Sequence, residues 1–183
     1  PHSLLGKFLI WRIKHIKQQH FVLILSILVG FFTGIIAVIL KNSVFLIQDF
    51  LQNGILKNYY YQLHFIYPII GLVIVSWITI YVLNKPSIRG IPSILYSISK
   101  KNGNMEKRSI YSTILLSVIT VGFGGSAGLE ASAAESGSSL GSNLGRVFHL
   151  NYKTRILLIG CAAAGTIASI FKAPIAAVVF AIE

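Results

Sequence analysis

Residues 124–145, with the sequence GGSAGLEASAAESGSSLGSNLG, decide the fold of this chain. Of these 22 residues, 16 are Gly, Ala or Ser, the small residues that let helices approach one another closely inside a membrane. Close packing does not explain why Glu130 and Glu135 lie in the same stretch. A carboxylate at membrane depth costs about 3 kcal/mol on insertion scales, so its presence indicates a functional site.

The composition of the whole chain is that of an integral membrane protein. It has 183 residues, of which 54% are hydrophobic and 11% charged, whereas globular domains are about 25% charged. Its 16 Lys and Arg residues against 5 Asp and Glu give a formal charge of +11. A basic disordered tail or a soluble nucleic-acid binder would be less apolar. The expected partner is therefore the lipid bilayer, with no nucleic acid and no metal or other cofactor.

Uncharged apolar runs predict an all-α polytopic membrane protein. They cover residues 21–40, 63–83, 110–123, 156–171 and 175–182. A run of 20 residues forms a helix about 30 Å long, which matches the hydrocarbon core of a bilayer. Residues 4–17 mix apolar and basic side chains, which predicts an interfacial helix. We therefore divide the chain into a cytoplasmic interfacial helix at residues 1–20 and a transmembrane domain at residues 21–183.

The basic residues predict the orientation of the chain. Four of them precede the first run, two lie in the 41–62 connection and six lie between residues 84 and 109. Because cytoplasmic loops are rich in Lys and Arg, we expect the N-terminus inside, residues 41–62 outside and residues 84–109 inside. The expected location is the plasma (inner) membrane.

Glycines before Glu130 predict that a new helix begins beside this carboxylate. Gly124, Gly125 and Gly128 favour a turn, and the Ala- and Ser-rich run that follows favours a helix. The N–H groups and the dipole of a helix N-terminus attract anions, so a carboxylate there competes with a dissolved anion until it is protonated. This arrangement would gate an anion pathway. The alternative, a glutamate that is satisfied by neighbouring hydroxyl groups, stays open at this point.

Two further breaks interrupt apolar segments. Pro86, Gly90 and Pro92 precede a segment that is too short to span a bilayer, which fits a re-entrant helix or an ordinary surface helix. Lys172 and Pro174 interrupt the last apolar run. Three broken helices in one membrane domain are typical of transporters and channels whose substrate lies near the midplane.

At these breaks the chain resembles the first half of the CLC family of chloride channels and chloride/proton exchangers. Gly90-Ile91-Pro92 is similar to the end of the family motif G-S-G-I-P, and residues 128–132 are similar to G-R-E-G-P. Residues 140–146 resemble I-G-x-x-L-G-R, and residues 171–176 resemble a later family break. The four motifs occur in the family order, and the resemblance covers nearly the whole chain.

The resemblance implies a gate, an anion path and an assembly. It implies that Glu130 is the gating glutamate and that the protein is a homodimer in which each subunit has its own pore. It also implies that the chain is one of two inverted halves of a subunit that transports chloride, passively or with protons. The residues implied along the anion path are Arg89, Gly90, Ile91, Pro92, Gly128, Leu129, Ala131 and Ser132.

Several positions depart from the family pattern. Arg89 stands where the family has its anion-coordinating serine, and Leu129, Ala131 and Ser132 replace Arg, Gly and Pro. These changes leave the preference for chloride open. Glu135 stands where the family usually carries a neutral residue, so it is a candidate second acidic site. It is either a second proton site or a carboxylate paired with a basic residue, and we favour pairing.

Other functions remain as alternatives to a chloride pathway. A secondary transporter of another small anion fits the same features, and a non-transporting membrane scaffold fits the apolar composition. Residues 124–128 also match the G-x-S-x-G pattern around a hydrolase serine, here Ser126. That motif needs a strand, a turn, a helix and an acid–His pair, and His149 is the one histidine after it. We therefore expect no enzyme activity. The chain starts without Met and ends at Glu183 inside an apolar run, which suggests a fragment. Whether the protein is a channel or an exchanger therefore stays open.

Overall fold

The computed structural model describes residues 18–53, 66–83 and 89–182, and these residues form an all-α structure without strands. The helices, in chain order, are α1 Gln18–Asn53, α2 Ile66–Trp77 with a π-helical continuation Ile78–Leu83, α3 Ile91–Lys100, α4 Ser109–Gly122, α5 Leu129–Val147, α6 Tyr152–Phe171 and α7 Pro174–Ile182. The fold is thus that of a polytopic membrane protein with broken helices, as predicted.

Helix α1 is longer than the predicted span at residues 21–40. It continues to Asn53, so the predicted end of the first span at residue 40 is wrong, whereas the external location of residues 41–53 stays a prediction. The helix passes through Lys41, whose side chain is exposed and whose Nζ lies 5.9 Å from the centre of the Phe45 ring. The next turns are held by packing, since Val44 is buried with Val118 of α4 and Ile47 packs beside them.

The remaining predicted runs agree with helices. Among the described residues, three helices are long and apolar enough to cross a membrane, namely 18–51, 66–83 and 152–171, and 109–122 is a shorter apolar helix. Many large apolar side chains of α1 and α2 are exposed, as expected of surfaces that face lipid. The predicted interfacial helix at residues 4–17 lies outside the described residues, and α1 crosses the predicted boundary at residue 20.

Helix α5 is the centre of the packing. Its residues 133–139 are all buried, between α4 on one side and α6 on the other. Its serines donate hydrogen bonds to neighbouring elements: Ser136 Oγ to the Ile110 carbonyl at 2.5 Å, and Ser142 Oγ to the Gly103 carbonyl at 2.5 Å. Buried hydroxyl groups need such partners. The Ser-rich sequence therefore forms a polar helix that lies inside an apolar bundle.

Glycines of α5 set its separation from α6. A Cβ atom at Gly141 would lie 2.6 Å from the carbonyl oxygen of Leu158, and one at Gly137 would lie 2.6 Å from Thr166 Cγ2. These distances leave room only for hydrogen atoms. The expectation that small residues serve close helix packing is confirmed for this pair of helices.

Candidate functional site

Glu130 lies in the first turn of α5, as the glycines before it predict. Gly128 is the N-cap residue, and Gly124 takes a φ of +85°, which favours glycine. The Glu130 side chain is half-buried and folds back along the chain, so that its Oε2 occupies the place where a Cβ atom of residue 128 would lie. The carboxylate therefore lies against the N-terminus of its own helix, where the dipole favours negative charge.

A cavity of about 530 Å³ lies beside Glu130, and the helix breaks meet there. We call it the breakpoint cavity. Its described lining residues are Ile91, Glu130, Ala134, Ile167, Phe171, Ala173, Ala176, Ala177 and Phe180. They come from the start of α3, the start of α5 and the break between α6 and α7. Glu130 is the one ionisable group among them, and the rest of the wall is apolar.

The break between α6 and α7 has a local cause. Lys172 adopts a left-handed conformation, with a φ of +55°, and ends α6. Pro174 then begins α7, where the missing N–H of proline costs no hydrogen bond. Ala173 between them lines the breakpoint cavity.

Glu135 lies at the start of α3, a contact that the sequence did not reveal. Its Oε2 accepts a hydrogen bond of 2.7 Å from the backbone N–H of Gly90, and only 1% of the residue is exposed. The side chains of Ser93 and Thr113 lie near this carboxylate, and the charge of Arg89 acts on it. The available signal was an acid at a position where the family that the chain resembles usually carries a neutral residue.

The neighbourhood of Glu135 bears on the predicted pairing with a base. Arg89 is half-buried and is the basic residue whose charge acts on Glu135. In the described part of the chain, the carboxylate accepts a hydrogen bond from the Gly90 amide and lies near the hydroxyl groups of Ser93 and Thr113. Pairing through a direct salt bridge therefore stays a prediction.

The other predicted path residues divide into two sets. Ile91 lines the cavity, and Ala131 approaches Gly90 so closely that a Cβ atom on Gly90 would lie 3.4 Å from that of Ala131. Leu129, by contrast, packs with the cluster between α1 and α4. Ser132 is hydrogen-bonded to Ser117 of α4, so the hydroxyl that replaces the family proline serves helix packing.

The arrangement does not assemble a serine hydrolase site. Ser126 follows helix α4 rather than a strand, and His149 lies beyond the other end of α5. A helix of 19 residues is about 28 Å long, which separates the two side chains far beyond hydrogen-bonding distance. Within the described parts of the chain, no group of three His, Cys, Asp or Glu residues could hold a metal ion.

Comparison with known proteins identifies the family of this chain. Neither the curated proteins nor the solved structures gave a match to this chain. The model of the voltage gated chloride channel family matches residues 70–183, which is more than half of the chain and includes all three breaks. The match leaves out α1, so it is shorter than the expected resemblance over nearly the whole chain. The chain belongs to the voltage-gated chloride channel family, whose members are channels and transporters in membranes.

Proposed function

We propose that this chain forms part of a pathway for chloride or a similar small anion across a membrane, with Glu130 as its gate. The observation that carries the proposal is the breakpoint cavity, where an acidic side chain at a helix N-terminus faces the meeting point of the helix breaks. The plasma membrane, a cytoplasmic N-terminus and a homodimer belong to the same proposal.

The gate would work by competition for one site. The free N–H groups and the dipole at the start of α5 attract an anion, and the Glu130 carboxylate already lies there. When Glu130 is protonated it loses its charge, so it no longer competes with a dissolved anion. This step couples the pathway to protons without a second ligand.

The apolar wall of the cavity supports a small anion as the substrate. Ile91, Phe171 and Phe180 offer no hydrogen bonds from their side chains, so an entering ion would rely on helix N-termini. A large organic anion would need further polar partners, because an unpaired buried charge is costly. Because Arg89 stands in place of the family serine, the transported ion is either chloride or another small anion. Measuring the flux of each ion distinguishes the two.

A non-transporting scaffold is the remaining alternative. It would have no use for an acidic group in a cavity at three helix breaks, since a buried carboxylate destabilises a membrane helix. Family membership also favours transport.

The test measures chloride efflux from liposomes that contain the full-length protein. Glu130→Gln and Glu130→Ala should raise efflux at neutral pH about tenfold, which corresponds to removal of about 1.4 kcal/mol of competition, and should abolish its dependence on pH. Glu106→Gln is the matched control, because Glu106 is an exposed acid outside the cavity. No efflux from the unsubstituted protein, or efflux indifferent to both changes at Glu130, would refute the gate.

A further inference from the structure

A cavity of about 860 Å³ lies between α1 and α6, away from the helix breaks. Positions 18, 19, 22, 23 and 26 of α1 line it, together with positions 153, 154, 157 and 161 of α6. Each set follows the helical repeat, so each helix contributes one face over about 12 Å of its length. We call this cavity the α1–α6 groove.

One end of the groove is polar and carries a positive charge. Gln18 Nε2 donates a hydrogen bond of 3.4 Å to Thr154 Oγ1, so α1 and α6 begin side by side. Lys153 lies at the same end, and it is the one charged group among the described lining residues. Because both helices are long and apolar enough to cross a membrane, their first residues belong at its surface.

The other end of the groove is apolar and open to the outside. Leu23 and Leu157 are 63% and 51% exposed, so protein does not cover them in the described part of the chain. Ser26 adds no free donor, because its hydroxyl donates to the Val22 carbonyl at 2.8 Å. The groove thus changes from charged to apolar over about 12 Å, which is less than half the thickness of the hydrocarbon core. A phospholipid in one leaflet has the same order of headgroup and acyl chain.

The charge of this end of the molecule selects the kind of lipid. Lys153 is exposed, and the described lining of the groove contains no acid to neutralise it. The sequence before α1 adds four basic residues, and the chain has no acid before Asp49. Basic clusters beside a membrane helix attract anionic lipids, which are concentrated in the cytoplasmic leaflet. The proposed orientation places the starts of α1 and α6 in that leaflet.

We propose that the α1–α6 groove binds one anionic phospholipid. Its phosphate lies at Lys153 and Gln18, and an acyl chain lies against Leu23 and Leu157. A zwitterionic lipid offers the same chain but carries its own cation beside the phosphate, so Lys153 favours the anionic headgroup. This site does not depend on transport by the protein.

The test of the headgroup contact uses native mass spectrometry of the full-length protein. The protein is released from detergent that contains equal amounts of dioleoylphosphatidylglycerol and dioleoylphosphatidylcholine, and the ratio of the two retained lipids is measured. Lys153→Gln should lower this ratio about fivefold, because one basic side chain contributes about 1 kcal/mol to binding of an anionic lipid. Lys107→Gln is the matched control, since Lys107 is an exposed lysine outside the groove.

The test of the acyl-chain contact fills the groove from within. Leu157→Trp should lower retention of both lipids, because the indole occupies the space of the chain. Leu115→Trp is the control, since Leu115 is 49% exposed on α4 and does not line the groove. Both leucines are exposed, so neither change disturbs the core of the bundle.

Cys161 reports whether the groove itself is occupied. It is the one cysteine of the chain, it is half-buried, and it lies at the apolar end of the lining. Added phosphatidylglycerol should slow its reaction with an uncharged maleimide several-fold in the unsubstituted protein and much less in Lys153→Gln.

Three results would overturn the proposal. The first is an equal lipid ratio for Lys153→Gln and Lys107→Gln, and the second is equal lipid retention by the two tryptophan variants. The third is a Cys161 reaction rate that added lipid does not change. A thiol that reacts only after unfolding falls under the third result, because another part of the protein then covers the groove.

Discussion

Gly128 is the residue on which the geometry of the proposed gate depends. Its missing side chain leaves the space that Glu130 Oε2 occupies. The backbone there is extended, with φ −69° and ψ +133°, so any residue could adopt it. The need for glycine at this position is therefore a need for space.

Gly128→Ala should displace the Glu130 carboxylate while the fold is kept. The new Cβ meets the end of a flexible side chain rather than backbone, so the carboxylate moves away from the start of α5. We expect chloride efflux at neutral pH to rise several-fold and its pH dependence to weaken, with little change in Tm. Gly30→Ala is the control, since a Cβ there meets nothing within 4 Å. Efflux equal to that of the control would contradict the prediction.

The two acids show what a sequence reveals at the residue scale. Glycines next to Glu130 predict its helix position because the cause is local. The partner of Glu135 lies 45 residues away, at Gly90, and no spacing rule connects the two positions. The carboxylate was recognisable as anomalous, but its contact depended on the way α3 packs against α5.

At the scale of elements, α5 and α6 form the most extensive contact of the described fold. Small residues predicted close packing, and the structure shows which of them serve it. The end of α1 was not predictable from charge, because Lys41 marks a change in hydropathy but not a change in packing. Contacts between Val44, Ile47 and α4 lie beyond Lys41 and hold these turns of α1 in place, and these contacts are tertiary.

Gly141→Val should separate α5 from α6. The added atoms would meet the Leu158 carbonyl and Ala162 Cβ at 2.6 and 2.9 Å, and a helix backbone cannot yield as a side chain can. Overpacking of this kind costs about 1–3 kcal/mol, so the Tm should fall by about 5 °C. Gly30→Ala should not lower the Tm. Equal stability of the two variants would mean that the helices are not in the close contact described.

Ser142→Ala should loosen the connection between α3 and α4. The Ser142 hydroxyl accepts from the Met105 N–H at 3.0 Å and donates to the Gly103 carbonyl at 2.5 Å. Its loss leaves two backbone groups without these partners, at a cost of about 1–3 kcal/mol. Hydrogen exchange of the Met105 amide should accelerate at least tenfold. Ser139→Ala is the matched control, because Ser139 contacts only the Met105 sulfur, at 3.8 Å, in this connection.

At the scale of the whole molecule, the exposed apolar side chains of the helices indicate that the protein lies in a membrane. Apolar side chains such as Ile27, which is 73% exposed, cover the outside of α1. The composition predicted the apolar spans, because hydropathy is read from the residues alone, whereas the packing selects which of their side chains are exposed. The meeting of three breaks at one cavity was not predictable, since it depends on how separate helices pack.

Ile27→Asp should prevent accumulation of the protein in membranes. An exposed position of a water-soluble protein tolerates a charge, whereas one in contact with lipid costs about 3 kcal/mol. We expect Ile27→Asp to lower the membrane-integrated fraction at least fivefold, measured by carbonate extraction. Ile27→Leu should behave as the unsubstituted protein does. Full integration of the aspartate variant would show that this face of α1 does not meet lipid.

The contacts that hold α5 in place bear on how fast the Glu130 side chain can move. Glu130 and Glu135 are five residues apart on one helix, about 7.5 Å along its axis. Because glycine contacts and serine hydrogen bonds hold that helix against its neighbours, we expect Glu130 to leave its place by rotation about its own side-chain bonds. Such rotations take picoseconds to nanoseconds, far less than a domain movement. We therefore expect the proposed gate to open and close faster than any backbone rearrangement, so that the arrival of a proton, and not mechanical opening, sets the rate of each passage.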